Sequence, residues 1–295
     1  MPKALIATSE RTAAGIVARV VVYTLLVLSA VYFLIPLLVM AMTSVKTLDD
    51  IRQGNLLELP RELTVDAWVS AWSSACIGVK CNGISGYFWN SVRMVVPAVL
   101  ISTAIGAVNG YALTKWRFPG SNLVFSLLLL GCFIPFQVII LPMAQTLGKL
   151  GLSSSIAGLV LVHVIYGLAF TTLFFRNYYI SLPDELIKSA RIDGAGFFLI
   201  FWKIVLPLSP PIIVVSLIWQ FTQIWNDFLF GAVFTSGNNQ PMTVALNNLV
   251  NSTTSVKEYN VDMAAAMIAA LPTLLVYVVA GKYFVRGLTA GAVKG

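Results

Sequence analysis

Charge and histidine are scarce in this chain. Of its 295 residues 11% are Asp, Glu, Lys or Arg and 58% are hydrophobic, against about 25% charged and about 45–50% apolar in a soluble domain. So few charges cannot coat a globule of this length, and lipid must cover much of it. One histidine, His163, and three cysteines, Cys76, Cys81 and Cys132, exclude most His/Cys metal centres and any multi-histidine catalytic arrangement. A GxxxxGK[ST] phosphate loop is missing: Gly148-Lys149 and Gly281-Lys282 lack both the upstream glycine and the following Ser or Thr. If ATP drives this protein, another polypeptide hydrolyses it. The net charge of +7 does not mark a nucleic-acid binder, because the basic residues are scattered between long apolar runs.

Those runs are what the sequence has in abundance. A bilayer core about 30 Å thick needs about 20 apolar helical residues. Charge-free stretches at 20–45, 94–114, 118–148, 150–175, 204–226 and 263–281 each meet that length. A further charge-free stretch, 228–256, carries Gly237-Asn238-Asn239-Gln240, Asn247-Asn248 and Asn251-Ser252-Thr253-Thr254. Its amides and hydroxyls would need partners in lipid, so it reads as a polar external loop. The expected fold is therefore all-α and integral to the membrane, one transmembrane domain over 1–295. Its six spans are near 18–42, 94–114, 122–142, 155–175, 208–230 and 262–282, with external loops at 43–90 and 234–260. With the N-terminus inside, twelve of the nineteen Lys and Arg, among them Lys3, Arg11, Arg117 and Lys294, fall on the cytoplasmic side. Both termini are then cytoplasmic. The first apolar segment is too long for a cleaved secretion signal. In the first external loop Trp68, Trp72 and Trp89 suit the interface, and Cys76 with Cys81 reads either as a local disulfide or as two free thiols.

The sizeable cytoplasmic segment is 176–207. Ser181 with Asp184 three residues on resembles a helix-starting box, and Pro183 suits a first turn. Leu186, Ile187 and Ala190 share one face, and Gly194 and Gly196 break the helix. Phe197, Phe198, Phe201, Trp202, Ile204 and Val205 then resume an apolar stripe at helical spacing. This predicts a helix, a glycine turn and a second helix. Composition alone leaves open whether the hairpin meets a protein or lies on lipid headgroups.

The order of residues resembles a known family. Permease subunits of binding-protein-dependent ABC importers carry a cytoplasmic EAA---G---------I-LP signature. Here Gly194, nine residues and Ile204-Val205-Leu206-Pro207 are similar to it, while Lys188 and Ser189 replace its opening Glu and Ala and Ala190 is kept. Trp225-Asn226-Asp227-Phe228-Leu229, Asn90-Ser91 and the tail Arg286–Gly295 resemble the maltose-type partner permease. The Phe136 region and Gln220 to Val250 look most like glucose/mannose permeases of Gram-negative bacteria. The resemblance implies a multi-pass protein of the bacterial inner membrane whose hairpin between spans four and five is a coupling helix. It implies a sugar moved by ATP-driven alternating access, with ATP and Mg held on partners and no cofactor on this chain. The partners implied are a second, different permease subunit, two ATPase subunits and a periplasmic sugar-binding protein, with no nucleic acid.

On that resemblance Glu185, Leu186, Ile187, Ala190, Asp193, Gly194, Ile204 and Pro207 are the ATPase-coupling residues, Leu186, Ile187 and Ala190 forming the apolar ridge. Gly237, Asn238, Asn239 and Gln240 are the candidate contacts for the binding protein, and the tail from Gly287 reaches the ATPase dimer. Neutral sugars need hydrogen-bonding groups and aromatic faces. Asn109, Gln137, Gln220, Gln223, Trp225 and Asn226 are the candidates along the path, each equally able to tie two helices together. His163 is expected to be a hydrogen-bonded helix contact, and Asp227 either to pair with another chain or to be solvated. An oligosaccharide or another small polar solute is the alternative cargo. An ion-coupled carrier is the alternative mechanism, against which the span interiors carry essentially no ionisable groups.

Overall fold

The structure is a computed structural model and describes residues 13–55, 57–116, 118–252 and 257–292. Lys3, Arg11, Arg117, Thr253, Thr254 and Lys294, used above, lie outside the described residues, as do the last three residues of the tail. The helices are α1 (Ala13–Thr43), α2 (Leu48–Gln53), α3 (Asp66–Ser73), α4 (Ser85–Thr114), α5 (Ser121–Gly131), α6 (Phe136–Lys149), α7 (Ile156–Ile180), α8 (Asp184–Ile192), α9 (Phe197–Ile200), α10 (Pro210–Trp225), α11 (Leu229–Phe234), α12 (Met242–Val250) and α13 (Tyr259–Ala292). Strands β1 (Cys76–Ile77) and β2 (Lys80–Cys81) form one antiparallel hairpin.

Four helices are long and apolar enough to cross a membrane, and up to six spans result if each of two bent pairs counts as one. The first pair, α5 and α6, turns by 100°, where a continuous helix over 122–142 was expected. Pro135 lacks a donor N–H and disfavours helical backbone at Ile134, so the two helices meet at a corner. The second pair turns by 80° between Leu208 and Pro210. Two prolines at the first positions of α10 start a new helix there because neither needs to donate. Helix α10 ends at Trp225, short of the expected 230, and α4 begins at Ser85, nine residues before the expected 94. The charge of Arg93 does not interrupt α4, since its side chain is exposed. The expected loop at 234–260 contains α12, whose Met242, Ala245 and Leu249 are buried at helical spacing. The asparagines between them had hidden that period.

The chain divides into two compact units, 1–71 with 256–267, and 72–255 with 268–295. The first holds α1, whose side chains from Val17 to Leu38 are largely exposed, as a lipid-facing helix requires. A polar knot follows it. Thr47 caps α2 by accepting from Asp50 N, buried Lys46 donates from Nζ to Asn55 O, and Asn260 Nδ2 donates to Lys46 O at 3.1 Å. Trp68 Nε1 donates to Ser44 Oγ, and Lys257 pairs with Asp262 at 2.7 Å.

The second unit is built on α4, α7 and α10. Gly106 and Gly110 of α4 sit against Thr171 and Phe175 of α7, so closely that a methyl group at either would strike backbone atoms. Around this crossing small hydroxyls and amides join the helices: Thr103 with Ser216 at 3.1 Å, Gln220 Nε2 to Ser102 Oγ at 2.8 Å, and Asn109 Nδ2 to Thr172 Oγ1 at 3.3 Å. In lipid, where apolar burial gives no net attraction between helices, close packing and such bonds are what hold them together. Two apolar clusters flank the crossing. Met94, Val99, Leu159, Val162, Ile224 and Phe230 belong to one, and Tyr111, Phe175, Tyr179, Ile187, Ile200 and Val205 to the other.

Candidate functional site

The segment after α7 forms the predicted helix–turn–helix. Ser181 does not start it. Its hydroxyl donates to Tyr178 O at 2.7 Å and closes α7, and α8 begins after Pro183 in extended backbone. Gly194 ends α8 at φ +83°, a left-handed conformation that costs glycine little. Gly194 N then reaches Arg191 O, and Ala195 N reaches Ala190 O at 2.9 Å. Helix α9 continues through a wider turn at Phe201–Val205 and a tighter one at Leu206–Leu208.

The apolar ridge expected on α8 is divided. Ile187 and Ala190 are buried in the cluster of Tyr111, Phe175, Tyr179 and Phe201, whereas Leu186 is 41% exposed. The outward face instead carries Glu185, Lys188 and Ile192, the last 86% exposed, with Asp193 and Pro207 also exposed and Ile204 half-buried. Across the turn Phe198, Leu199 and Trp202 are open as well. The helical period alone could have placed Ile192 on the face of Glu185 and Lys188.

The hairpin is fastened to the end of α4. Lys115 Nζ, almost fully buried, donates to Leu182 O at 2.6 Å and pairs with Asp184 at 2.5 Å. Arg191 lies over the Trp116 ring at 4.2 Å and donates to Lys115 O at 3.0 Å. A charge-assisted bond and a cation–π contact together fix α8 on α4, so a rotation of one carries the other.

At the opposite end, the turn Gly237–Asn239 is bound to the body. Asn90 Nδ2 donates to Asn238 O and Gln240 O, Lys80 Nζ to Asn238 Oδ1 at 2.6 Å, Asn239 Nδ2 to Ser154 O, and Met242 N to Ser91 Oγ. Cys76 and Cys81 are joined as a disulfide across the β1–β2 hairpin. The turn and the hairpin border a groove of about 500 Å³ lined by Lys80, Tyr87, Asn238, Gln240 and Asn248. Closing so short a loop is worth about 2 kcal/mol in the chain-entropy account. Replacing both cysteines by serine is therefore expected to quicken amide exchange at 76–81 and 237–240 at least fivefold, leaving α4 and α7 unchanged. Hydrogen-exchange mass spectrometry checks this, and unchanged exchange would show that Asn90 and Ser91 hold the turn without the bridge.

The six path candidates do not meet at one place. Gln220 and Gln223 line a cavity of about 170 Å³ with His163, Tyr166, Trp219 and Asp227. Asn109 is engaged with Thr172, Trp225 Nε1 with Ala269 O at 2.9 Å, and Asn226 Nδ2 with Thr222 O, while Gln137 is exposed elsewhere. Asp227 is largely shielded from solvent. Its carboxylate is 15% exposed and caps α11 by accepting from Phe230 N and Gly231 N. His163 departs from expectation too, because its buried Nε2 has no hydrogen-bond partner among the described residues and stands 3.6 Å from Asp227 Oδ2. Tyr166 and Trp219 were not singled out in the sequence, where nothing separates them from other aromatics of the spans.

Residues 102–289 match the family described as binding-protein-dependent transport system inner membrane component. The chain is 32% identical to the xylose/arabinose import permease of Haloferax volcanii over 93% of each protein. It is 48% identical over 176 residues to a probable ABC transporter permease of Pyrococcus horikoshii, spanning 59% of this chain and 63% of the relative's length. In fold it is similar to a chain of a bacterial ABC transporter involved in import of the acidic polysaccharide alginate. The TM-score is 0.80 at 21% identity, covering 92% of this chain and 98% of the other.

Proposed function

Since the chain belongs to the family of inner membrane components of binding-protein-dependent transport systems, we propose that it is the permease subunit of an ABC importer for a sugar. Each bent helix pair is taken as one span, giving six, with both termini and the 176–207 segment in the cytoplasm of a bacterial inner membrane. The observation that carries this reading is the hairpin from Asp184 to Leu208. One side of it is buried against α4 and α7, and the other presents Glu185, Lys188 and Ile192 outward. That is the arrangement a coupling element needs: rigidly joined to the spans, with a free face for a partner. The partner is an ATPase subunit, which supplies the phosphate loop missing from this chain along with ATP and Mg.

ATP binding closes two such ATPase subunits. The docked hairpins follow, and Lys115 and Arg191 pass the movement to α4, turning the path from inward- to outward-facing as a bistable rigid-body change. A second, different permease subunit completes the path. At the outer end Gly237 to Gln240 and the disulfide hairpin form a prearranged surface for the sugar-loaded binding protein. Gly237 to Gln240 sit on a fixed support, so association there is spared the entropy of ordering a loop.

Among cargoes, glucose or mannose is supported by the resemblance of the Phe136 and Gln220–Val250 segments, whereas the Haloferax relative is named for pentoses. Uptake of labelled glucose, mannose, xylose and maltose by cells with and without this gene tests the reading. Loss of one of these on deletion, with restoration by the gene, is the expected result, and unchanged uptake of all four would overturn the sugar assignment. Orientation is tested separately. Alkaline phosphatase fused after Gly237 is expected to be active and after Gly194 inactive, and the reverse pattern would invert the topology.

A further inference from the structure

The second arm of the hairpin, Phe197–Leu208, has two unlike faces. Inward, Ile200, Phe201 and Val205 are buried with Tyr111, Phe175 and Tyr179. Outward, Phe198, Leu199 and Trp202 are each more than half exposed. Lys203 beside them is exposed as well and has no ion-pair partner among the described residues. Spaced by one and four residues along a helical path, these four share one strip. The arm cannot roll to hide it. The Tyr178 hydroxyl donates to Leu208 O at 2.8 Å, and buried Ser209 Oγ lies 2.6 Å from Val205 O and 3.0 Å from the Tyr179 hydroxyl. Three large apolar side chains are thus held open side by side, a surface that marks a docking site or, left in water, an aggregation hazard.

Depth decides what covers the strip. Helix α10 has 16 residues, about 24 Å at about 1.5 Å per residue, against a bilayer core of about 30 Å. A span this short that begins at Pro210 has its inner end at headgroup level. The arm leaves that end at 80° to α10, so it runs along the membrane plane and not away into the cytoplasm. Tryptophan, phenylalanine and leucine next to a lysine is the composition of a helix lying in the interface. The apolar side chains sink about 5–10 Å to the acyl boundary, and the ammonium stays with the phosphates. The first arm differs: outward from α8 stand Glu185 and Lys188 with Ile192, a mixture of both charges suited to a protein partner.

We propose that Phe198, Leu199 and Trp202 are seated in the cytoplasmic leaflet of the bilayer, with Lys203 at the phosphates of anionic phospholipids. The two arms of the hairpin then have different partners, the ATPase subunit on α8 and lipid on Phe197–Leu208. The lipid seat fixes the depth of the hairpin and leaves it free to slide along the membrane plane. The inference rests on the membrane placement in the importer reading and adds to it the partner of the second arm.

The test uses the whole importer, with its ATPase subunits, in nanodiscs of phosphatidylcholine and phosphatidylglycerol. Single cysteines at Phe198→Cys, Trp202→Cys, Ile192→Cys and Val278→Cys, each on a Cys132→Ser background, carry a bimane label, and doxyl-labelled phospholipid is the quencher. Val278 on α13 is 82% exposed and serves as the membrane reference. Labels at 198, 202 and 278 are expected to lose at least half their emission to the doxyl lipid, and the label at 192 less than a tenth. Labels at 198 and 202 that respond no more than the one at 192 would overturn the lipid seat while leaving the importer standing. Quenching at 198 and 202 that appears only after the ATPase subunits are stripped would overturn it too, giving the arm to the ATPase. An unquenched label at 278 would overturn the membrane placement itself, and the seat with it.

Discussion

Gly110→Val and Gly106→Val are expected to reduce the amount of folded protein in the membrane at least tenfold. A Cβ at Gly110 would lie 2.6 Å from Phe175 Cβ and 2.8 Å from Arg176 N. At Gly106 it would lie 2.5 Å from Thr171 Oγ1 and 2.9 Å from the Thr171 carbonyl carbon. Two of these four atoms are backbone of α7 and cannot rotate away, so α4 and α7 must separate. Overpacking costs about 1–3 kcal/mol at a site that can relax. Here relaxation also stretches the Asn109–Thr172 and Thr103–Ser216 bonds beside the crossing. Lipid offers no compensating attraction, since the separated faces are solvated by tails as well as by each other. Gly281→Ala is the control, because its Cβ would meet nothing within 4 Å. Fluorescence-detected size-exclusion of a tagged chain reads the outcome. Equal monodisperse peaks for Gly110→Val and wild type would show that the crossing is looser than described.

The second large effect concerns the α8–α9 hairpin, proposed above to couple the spans to the ATPase. Ile187→Asp is expected to lower uptake at least twentyfold, and Ile192→Asp to leave the permease folded but to weaken its recovery with the ATPase subunits. Ile187 is 4% exposed among Tyr111, Phe175, Tyr179 and Phe201. A carboxylate there would be buried among apolar side chains, which costs several kcal/mol or drives α8 off the spans. Ile192 is 86% exposed, so the same substitution perturbs only what docks from outside. Co-purification with the ATPase subunits, alongside uptake, separates the two. Full uptake with Ile187→Asp would sink the packing of α8 on α4 and α7, and undiminished ATPase recovery with Ile192→Asp would remove that residue from the docking face.

These two residues show where reading the chain succeeds and where it stops. Leu186, Ile187 and Ala190 share a face by period, yet the structure buries two and exposes one. A helical period says which side chains point the same way. It does not say how wide a strip the neighbour covers, and here that strip is set by Tyr111 and Phe175, more than ten residues away in sequence. The asparagines of 234–260 misled in the opposite sense, since Met242, Ala245 and Leu249 lie between them at helical spacing. Pro135 was ambiguous for a third reason. Membrane helices tolerate proline when neighbours satisfy the freed carbonyl, so its presence alone does not announce a corner of 100° between α5 and α6.

The sequence by itself determined the solvent, the class of fold and the turn. With 11% charge and runs of 20 residues or more free of it, only helices that satisfy their own backbone suit the chain, and Gly194 marks where the α8–α9 hairpin reverses. These are local properties, fixed by composition and by spacings within a few residues. The tertiary structure alone decided which polar groups meet. Gln220 is tied to Ser102, 118 positions away, and Asn90 to Asn238, 148 positions away, while Gln223, His163, Asp227 and Trp219 share one cavity. Polar side chains within spans look alike in sequence because each must find some partner. Which partner it finds depends on how α4, α7 and α10 cross, and that geometry is set by contacts between segments far apart along the chain.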